Sequence, residues 1–310
     1  MAGERYSERR GVAIVQTLST LILVSLGHVL TKLALSDVPP FTMSWLSVGV
    51  GMVALNVYTF VIRRESFPKG LSKQIWFYIF VVGILNYVVS RIMLTLSLER
   101  LPATTNMFLV NFVGFVTMGM SSFILKEAPT KFQVLGAGVA LGGLLVFLDH
   151  PPPAFEVVGF LFVLIGILAI AYTNNVARKV AIITEFTISN NVFSSLGLLV
   201  GGIITILLGL AFDWPPRIAG WQNWGVVLYL GIMVIAVHMT VWNYILRTLR
   251  SYEASILGAT TLIWTALLAV PILDEALLGN QISGIILMIV GLALVQVRRG
   301  RLKFVWRRAG

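Results

Sequence analysis

Ten stretches of mostly apolar residues follow one another along the chain, and their length restricts the fold more than any other feature of the sequence. They cover residues 12–34, 41–62, 75–97, 103–125, 132–148, 156–177, 187–211, 224–246, 254–273 and 280–297. At a rise of about 1.5 Å per residue, a helix of about 20 residues crosses the roughly 30 Å of hydrocarbon in a bilayer. A helix also satisfies its own backbone hydrogen bonds in lipid. The sequence therefore predicts an all-α integral membrane protein with ten transmembrane helices.

The amino-acid composition agrees with a lipid environment. Hydrophobic residues make up 57% of the 310 residues and charged residues 12%, and the mean hydropathy is +0.90. A soluble domain of this size could not bury so much apolar side chain. The chain contains no cysteine, which excludes disulfides, thiolate catalysis and cysteine-ligated metal centres. The first apolar stretch contains Lys32 and lacks a small-residue cleavage site, so we interpret it as a retained helix rather than a signal peptide.

Lysine and arginine residues are distributed unequally between two alternating sets of loops. Nineteen lie in one set, which comprises the N-terminal tail, 63–73, 126–131, 178–179, 247–250 and the C-terminal tail. The other set contains only Arg100 and Arg217. Because cytoplasmic loops are enriched in Lys and Arg, this pattern predicts that both termini lie in the cytoplasm. Basic loops facing an anionic leaflet also account for the net charge of +10, so nucleic-acid binding is not expected.

The middle of the chain contains evidence of an internal repeat. Lys126-Glu127 is followed by Gly136 and Gly143, and Asp274-Glu275 is followed at the same intervals by Gly284 and Gly291. The offset is 148 residues in each case, and the proline-rich segment 149–153 lies between the two copies. Five helices per half is an odd number, so the second half must enter the membrane in the opposite orientation. The sequence predicts two inverted five-helix halves, residues 1–150 and 151–310, around a central cavity.

These residues carry a resemblance to a known family. An apolar run that closes on Lys-Glu or Asp-Glu, followed by a glycine-rich helix and repeated once, resembles the EamA-type halves of the drug/metabolite transporter superfamily. With the segment 27–32 and a similar segment at 173–179, the chain is similar to bacterial amino-acid exporters of the YddG type, which include exporters of aromatic amino acids. The resemblance covers nearly the whole chain. It implies a ten-helix carrier whose cavity is built mainly from helices 1–4 and 6–9, with helices 5 and 10 more peripheral.

Polar side chains inside the predicted spans are candidates for substrate binding. Lys32 and Arg91 lie in apolar surroundings with no Asp or Glu at comparable depth, and such charges usually mark a substrate or ion pathway. His28 shares a helix face with Lys32, and Tyr87 shares one with Arg91. The candidate set also contains Asn106, Asn111, Tyr172, Asn174, Asn175, His238, Trp242 and Trp264. Structural alternatives are open for each: Lys32 could reach the interface, asparagines could join helices, and aromatic residues could anchor the span ends.

Several function classes fit the sequence poorly. The acidic residues lie in loops or at span ends, only three histidines occur, and no nucleotide-binding motif is present, so we expect neither an enzyme nor a cofactor or metal site. A positive cavity without an intramembrane carboxylate favours a carboxylate-bearing solute. The resemblance implies export of amino acids across a bacterial inner membrane. We therefore predict gradient-driven export of amino acids, including aromatic or large apolar ones, by alternating access in a monomer or weak homodimer. Alternatives are an exporter of drugs, organic cations or other small metabolites, and a lipid scramblase.

Some residues have structural rather than functional expectations. Glu127 and Glu275 lie where one predicted helix ends and the next begins, and each is expected to complement the dipole of the helix that follows it. Gly138 and Gly142 in helix 5 are expected to allow close helix packing. Pro271 should kink or end helix 9.

Overall fold

The computed structural model describes residues 2–68, 70–126, 129–185, 187–242 and 251–296. Within these ranges the regular structure is helical and no strand occurs. The helices, numbered in chain order, are α1 Ala2–Ala34, α2 Pro40–Ile62, α3 Lys73–Arg100, α4 Ala103–Ile124, α5 Lys131–Leu148, α6 Ala154–Ile183, α7 Asn190–Phe212, α8 Trp221–Trp242, α9 Ser251–Leu273 and α10 Gly279–Gln296.

Eight of these described helices, α1 to α8, contain segments long and apolar enough to cross a membrane. The apolar parts of α9 and α10, Leu257–Leu273 and Gly279–Val295, are shorter. Helix α9 ends two residues after Pro271. The prediction of an all-helical chain is confirmed, whereas the number of ten spans and the inverted repeat stay predictions.

Three helices contain π-helical turns, which the apolar pattern did not indicate. They cover Val57–Ile62 in α2, Gly83–Ser90 in α3 and Leu230–Val237 in α8. Such turns are rare in proteins and are frequent at functional sites. A separate irregularity divides α4, where Asn111 and Phe112 form a turn.

Helices α5 and α10 contact each other through four glycines. A Cβ added at Gly136 would lie 2.5 Å from the carbonyl oxygen of Gly291, and one added at Gly291 would lie 2.6 Å from that of Gly136. Gly143 and Gly284 face each other in the same reciprocal way, at 3.0 and 2.7 Å. Any side chain at these positions would collide with backbone, so the helices approach as closely as they do only because glycine occupies all four.

The prediction that Gly138 and Gly142 provide this close packing is wrong. No atom lies within 4 Å of a Cβ built at either residue. The two glycines lie on a different face of α5 from Gly136 and Gly143. Since α5 is apolar all round, its sequence does not distinguish the face that meets a helix from the face that meets lipid.

The remaining helices form the main bundle. Helix α1 packs against α9, α4 against α6, and α2 against both α7 and α8, while α3 packs against α6 and α7. The α5–α10 pair joins this bundle through α4 and α9. There the ring of Phe108 stacks on that of Phe147 with centroids 4.3 Å apart, and Leu262 and Met288 are fully buried beside them.

Polar contacts connect separate segments of the chain at one end of the bundle, which we call the Glu275 end. Both carboxylate oxygens of Glu275 accept backbone hydrogen bonds, one from Ala103 and the other from Thr104 at 3.1 Å. Glu275 therefore caps the N-terminus of α4 and not that of α10, which corrects the expectation from the sequence. Glu127, for which the same expectation was made, lies outside the described residues.

Another acidic residue strengthens the Glu275 end. Asp213, at the end of α7, accepts hydrogen bonds from the Thr42 hydroxyl at 2.6 Å and the Trp45 indole at 2.8 Å. The opposite end, the Glu65 end, contains the linkers that precede α3 and α7. Here Glu65 accepts hydrogen bonds from the Ser189 hydroxyl and from the Asn191 amide, the latter at 3.3 Å.

Candidate functional site

A cavity of about 120 Å³, the Arg91 cavity, lies among α1 to α4 and α8 in the half of the bundle nearer the Glu275 end. Three candidate residues, His28, Arg91 and Asn106, line it. Its other lining residues are mostly apolar, with the small polar side chains of Thr31, Ser47 and Thr95 between them. The first four helices and α8 thus bring together polar groups from distant parts of the chain.

Unpaired polar atoms distinguish this cavity from ordinary packing. Arg91 Nε, His28 Nε2 and Asn106 Oδ1 are buried and have no hydrogen-bond partner. The amide nitrogen of Asn106 is satisfied, because it donates to the Ser97 hydroxyl. Buried polar atoms are almost always paired in proteins. Three unpaired atoms at one cavity therefore mark a place that can receive the complementary groups of a solute.

Backbone features position these side chains. Arg91 is the first residue after the π-helical turn of α3. Asn106 lies in the first turn of α4, directly behind the N-terminus that Glu275 caps. Gly27 lets α1 approach α8 closely, because a Cβ there would lie 2.5 Å from a methyl group of Val234. The neighbouring His28 is thereby brought to the cavity.

Lys32 lies apart from the lining residues of the Arg91 cavity. Its ammonium donates to the carbonyl oxygens of Leu98 at 2.8 Å and Glu99 at 3.2 Å. These carbonyls belong to the last turn of α3, where the helix itself leaves them without partners. The contact supports the end of α3, and it accounts for a cation at this depth without a solute.

A larger cavity of about 440 Å³, the Trp242 cavity, lies among α3, α6, α7 and α8. It extends from Tyr87 near the middle of α3 to the α6–α7 linker at the Glu65 end. Of the candidate residues, it is lined by Tyr87, Asn174 and Trp242. The candidate set omitted several polar lining residues, among them Asn86, Arg178 and Asn190. The four-residue spacing of Arg178 from Asn174 on α6 is the signal that could have revealed it.

The other candidate residues do not line either cavity. Asn111 donates to Met107 of its own helix at 2.8 Å, and Asn175 joins α6 to α4 by donating to the carbonyl of Thr117 at 3.0 Å. Tyr172 lies at the bundle surface. The ring of His238 lies 5.7 Å from that of Trp242, measured between centroids. His238 Nδ1 and Trp264 Nε1 are buried and unpaired.

The charged side chain that lines each of the two cavities is an arginine. None of the described residues that line either cavity is Asp or Glu, whereas each cavity contains one arginine. The ranges that the structure describes also contain no cluster of three or more His, Asp or Glu that could hold a metal ion. Arg91 can therefore neutralise a carboxylate or another anionic group at its cavity, and the described lining residues include no acidic side chain to pair with a cation.

Comparison with known proteins decides the family. The model of the EamA-like transporter family matches residues 11–149 and, a second time, residues 157–297. The chain belongs to the EamA-like transporter family. It is thus a multi-pass membrane protein of a transporter family, as the sequence predicted at this coarser level.

Two of the proteins that are similar to this EamA-like transporter illustrate the likeness. One is "Uncharacterized transporter YcxC" of Bacillus subtilis (strain 168), at 26% identity over 188 residues. That match spans 58% of this chain and 60% of the relative, so it leaves more than a third of each uncompared. The other is a crystal structure that superposes with a TM-score of 0.67 at 18% identity, over 91% of this chain and 95% of its own. It shows a shared fold.

Proposed function

We propose that this transporter exports amino acids from the bacterial cytoplasm across the inner membrane. The observation that carries the proposal is the set of unpaired polar atoms at the Arg91 cavity. A zwitterion supplies a carboxylate, which can accept a hydrogen bond from Arg91 Nε–H, and an ammonium, which can donate to Asn106 Oδ1. His28 Nε2 can serve either group, because a neutral imidazole nitrogen donates or accepts according to its tautomer.

The binding energy available from this arrangement is sufficient for selectivity. A hydrogen bond to a charged group contributes about 1.5–3 kcal/mol in a site of reduced dielectric. This corresponds to about tenfold or more in affinity for a solute that carries a carboxylate. An organic cation would gain nothing from Arg91 and would be repelled by it, so the alternative of an organic-cation exporter is disfavoured on the same geometry.

We also propose that residues 1–150 and 151–310 form inverted halves that alternate access to the cavities. The helix contacts support this. If each helix is replaced by the helix five places away in the chain, the α1–α9 contact becomes the α6–α4 contact and the α2–α8 contact becomes the α7–α3 contact. All four of these contacts are present. The π-helical turns of α3 and α8 begin at Gly83 and Leu230, 147 residues apart. Two consecutive matches to one family model agree with the same division.

The orientation in the membrane rests on the charge distribution. The nineteen basic residues of the proposed cytoplasmic set include those of the linkers at the Glu65 end, although 247–250 and the tail 297–310 lie outside the described residues. Both termini are therefore proposed to be cytoplasmic. A cysteine introduced at Pro152 should react with an impermeant thiol reagent added outside cells, and one at Gly70 should not. The reverse labelling would contradict this topology.

Counterflow in proteoliposomes tests the function directly. Vesicles preloaded with unlabelled phenylalanine should take up labelled phenylalanine faster than empty vesicles, because solute exchange re-exposes the site without net flux. Parallel vesicles preloaded with an organic cation, a phosphorylated sugar or another small metabolite serve as the comparison. Acceleration by those solutes and not by amino acids would overturn the proposal, and lipid movement between leaflets without any solute exchange would point to a scramblase.

A further inference from the structure

The Trp242 cavity has the size and chemistry of a binding site in its own right. Its volume of about 440 Å³ falls within the range of roughly 300–1,000 Å³ that is usual for small-molecule sites. The Arg91 cavity, at about 120 Å³, is below that range. Of these two cavities, the Trp242 cavity therefore has more room for a solute with a bulky side chain.

The lining of the Trp242 cavity is divided between polar and aromatic groups. Asn86, Asn174 and Asn190 contribute amides, each able to donate and to accept hydrogen bonds. The rings of Phe193 and Trp242 provide apolar faces. Small-molecule sites in proteins combine an apolar wall with a few polar groups in this way. The amides and the aromatic faces together suit a solute that has polar hydrogen-bonding groups and an aromatic or large apolar side chain.

The position of the cavity relative to Arg91 suggests its role. Tyr87, which lines the Trp242 cavity, precedes Arg91 by one turn of α3, or about 6 Å along the helix axis. Helix α8 also serves both cavities, through Val234 in one and Trp242 in the other. The two cavities therefore follow each other along the same pair of helices, one nearer the Glu65 end and one nearer the Glu275 end.

We propose that the Trp242 cavity is a second solute site, which binds amino acids with aromatic or large apolar side chains before they reach Arg91. The inference rests on the proposed function for its class of solute. It adds that one chain binds two solute molecules, and that discrimination by side-chain size takes place in the Trp242 cavity.

Equilibrium binding of labelled phenylalanine to the full chain in lipid nanodiscs tests the inference. Ala177→Phe places a ring inside the Trp242 cavity, which Ala177 lines. Ile165→Phe adds the same ring on the exposed face of the same helix and is the matched control. We expect two bound molecules per chain for the original protein and for the control, and one for Ala177→Phe.

A second variant separates occupancy from misfolding. Asn174→Leu keeps the cavity open but removes an amide from its wall, and it should weaken binding of one of the two molecules by about tenfold. A single bound molecule in the original protein, unchanged by Ala177→Phe and Asn174→Leu, would overturn the inference. If phenylalanine counterflow persisted in that preparation, the proposed function would stand. Loss of both counterflow and binding in the original protein would overturn the two proposals together.

Discussion

The carboxylate of Glu275 caps the N-terminus of α4 by accepting a hydrogen bond from the backbone N–H of Ala103, 172 residues earlier in the chain. A linker near the end of the protein thus fixes the start of a helix near its beginning. Asn106, which lines the Arg91 cavity and has an unpaired amide oxygen, lies within the turn that this cap stabilises. The stability of the cavity wall therefore depends on contact between the two halves of the chain.

Removing the cap should destabilise the protein. Glu275→Ala leaves two backbone N–H groups without their partner, and loss of a helix cap costs about 0.5–2 kcal/mol. We expect a lower midpoint of thermal unfolding in detergent and weaker amino-acid binding. Glu99→Ala is the control, because Glu99 forms a partly exposed ion pair with Arg100 and such pairs contribute little. Equal losses in the two variants would show that the cap has no special importance.

Replacing Arg91 should reduce apparent affinity without unfolding the protein. Arg91→Gln removes the positive charge at the Arg91 cavity, so the half-saturation concentration for amino-acid transport should rise by about tenfold or more. The measurement is initial-rate transport over a range of solute concentrations. Unchanged half-saturation would reduce Arg91 to a structural role.

Two other cations provide controls for Arg91→Gln. Arg100 donates to Leu96 of its own helix at 3.0 Å, and Lys32 contacts carbonyls at the end of α3. Neither lines the Arg91 cavity or the Trp242 cavity. Arg100→Gln and Lys32→Met should therefore leave the half-saturation concentration close to its original value, with any effect of Lys32→Met appearing in thermal stability.

The glycine contact between α5 and α10 allows a stability test with an internal reference. Gly136→Ala forces a methyl group against the backbone of α10, and overpacking of this kind costs about 1–3 kcal/mol. Gly138→Ala adds the same methyl group where no atom lies within 4 Å, and it should stabilise the helix by up to about 1 kcal/mol. Thermal unfolding of the two variants in detergent should move in opposite directions. A matching decrease in both would contradict the assigned packing face.

Transport should depend only modestly on a proton gradient. Among the described residues within the spans, His28 and His238 are the side chains whose ordinary titration range falls near neutral pH. In the part of the chain that the structure describes, no carboxylate lines either cavity. An imposed pH gradient should therefore change net amino-acid flux little in proteoliposomes. Strong acceleration that His28→Gln or His238→Gln abolishes would establish proton coupling.

Apolar length was sufficient to predict where the described helices lie in the sequence. The predicted helices 132–148 and 187–211 correspond closely to Lys131–Leu148 and Asn190–Phe212. In lipid, a long apolar run has few alternatives to a helix. The four-residue spacing of Tyr87 and Arg91 predicted one shared face, but the two residues line different cavities, and a π-helical turn ends between them.

What the sequence left undetermined depends on tertiary contacts. Both the lipid-facing and the helix-facing sides of a span are apolar, so nothing in α5 indicated that Gly136 rather than Gly138 meets α10. The cap that Glu275 places on α4 joins residues too distant for any local pattern. Lys32 and Arg91 are both cations in apolar stretches of the sequence. Lys32 nevertheless contacts the end of α3 and Arg91 lines a cavity, because the neighbouring helices determine the surroundings of each side chain.

The close contact between α5 and α10 also affects how the motion of this transporter can be measured. Where backbone meets backbone at Gly136 and Gly291, there are no side-chain rotamers through which the two helices could shift. Gly138 and Gly142 lie on the open side of α5, where an attached reporter would meet no neighbouring atom of the protein. The α5–α10 pair therefore offers an internal reference frame, and distances from a probe at Gly138 to probes on α3 and α8 would report the displacement of those helices during transport.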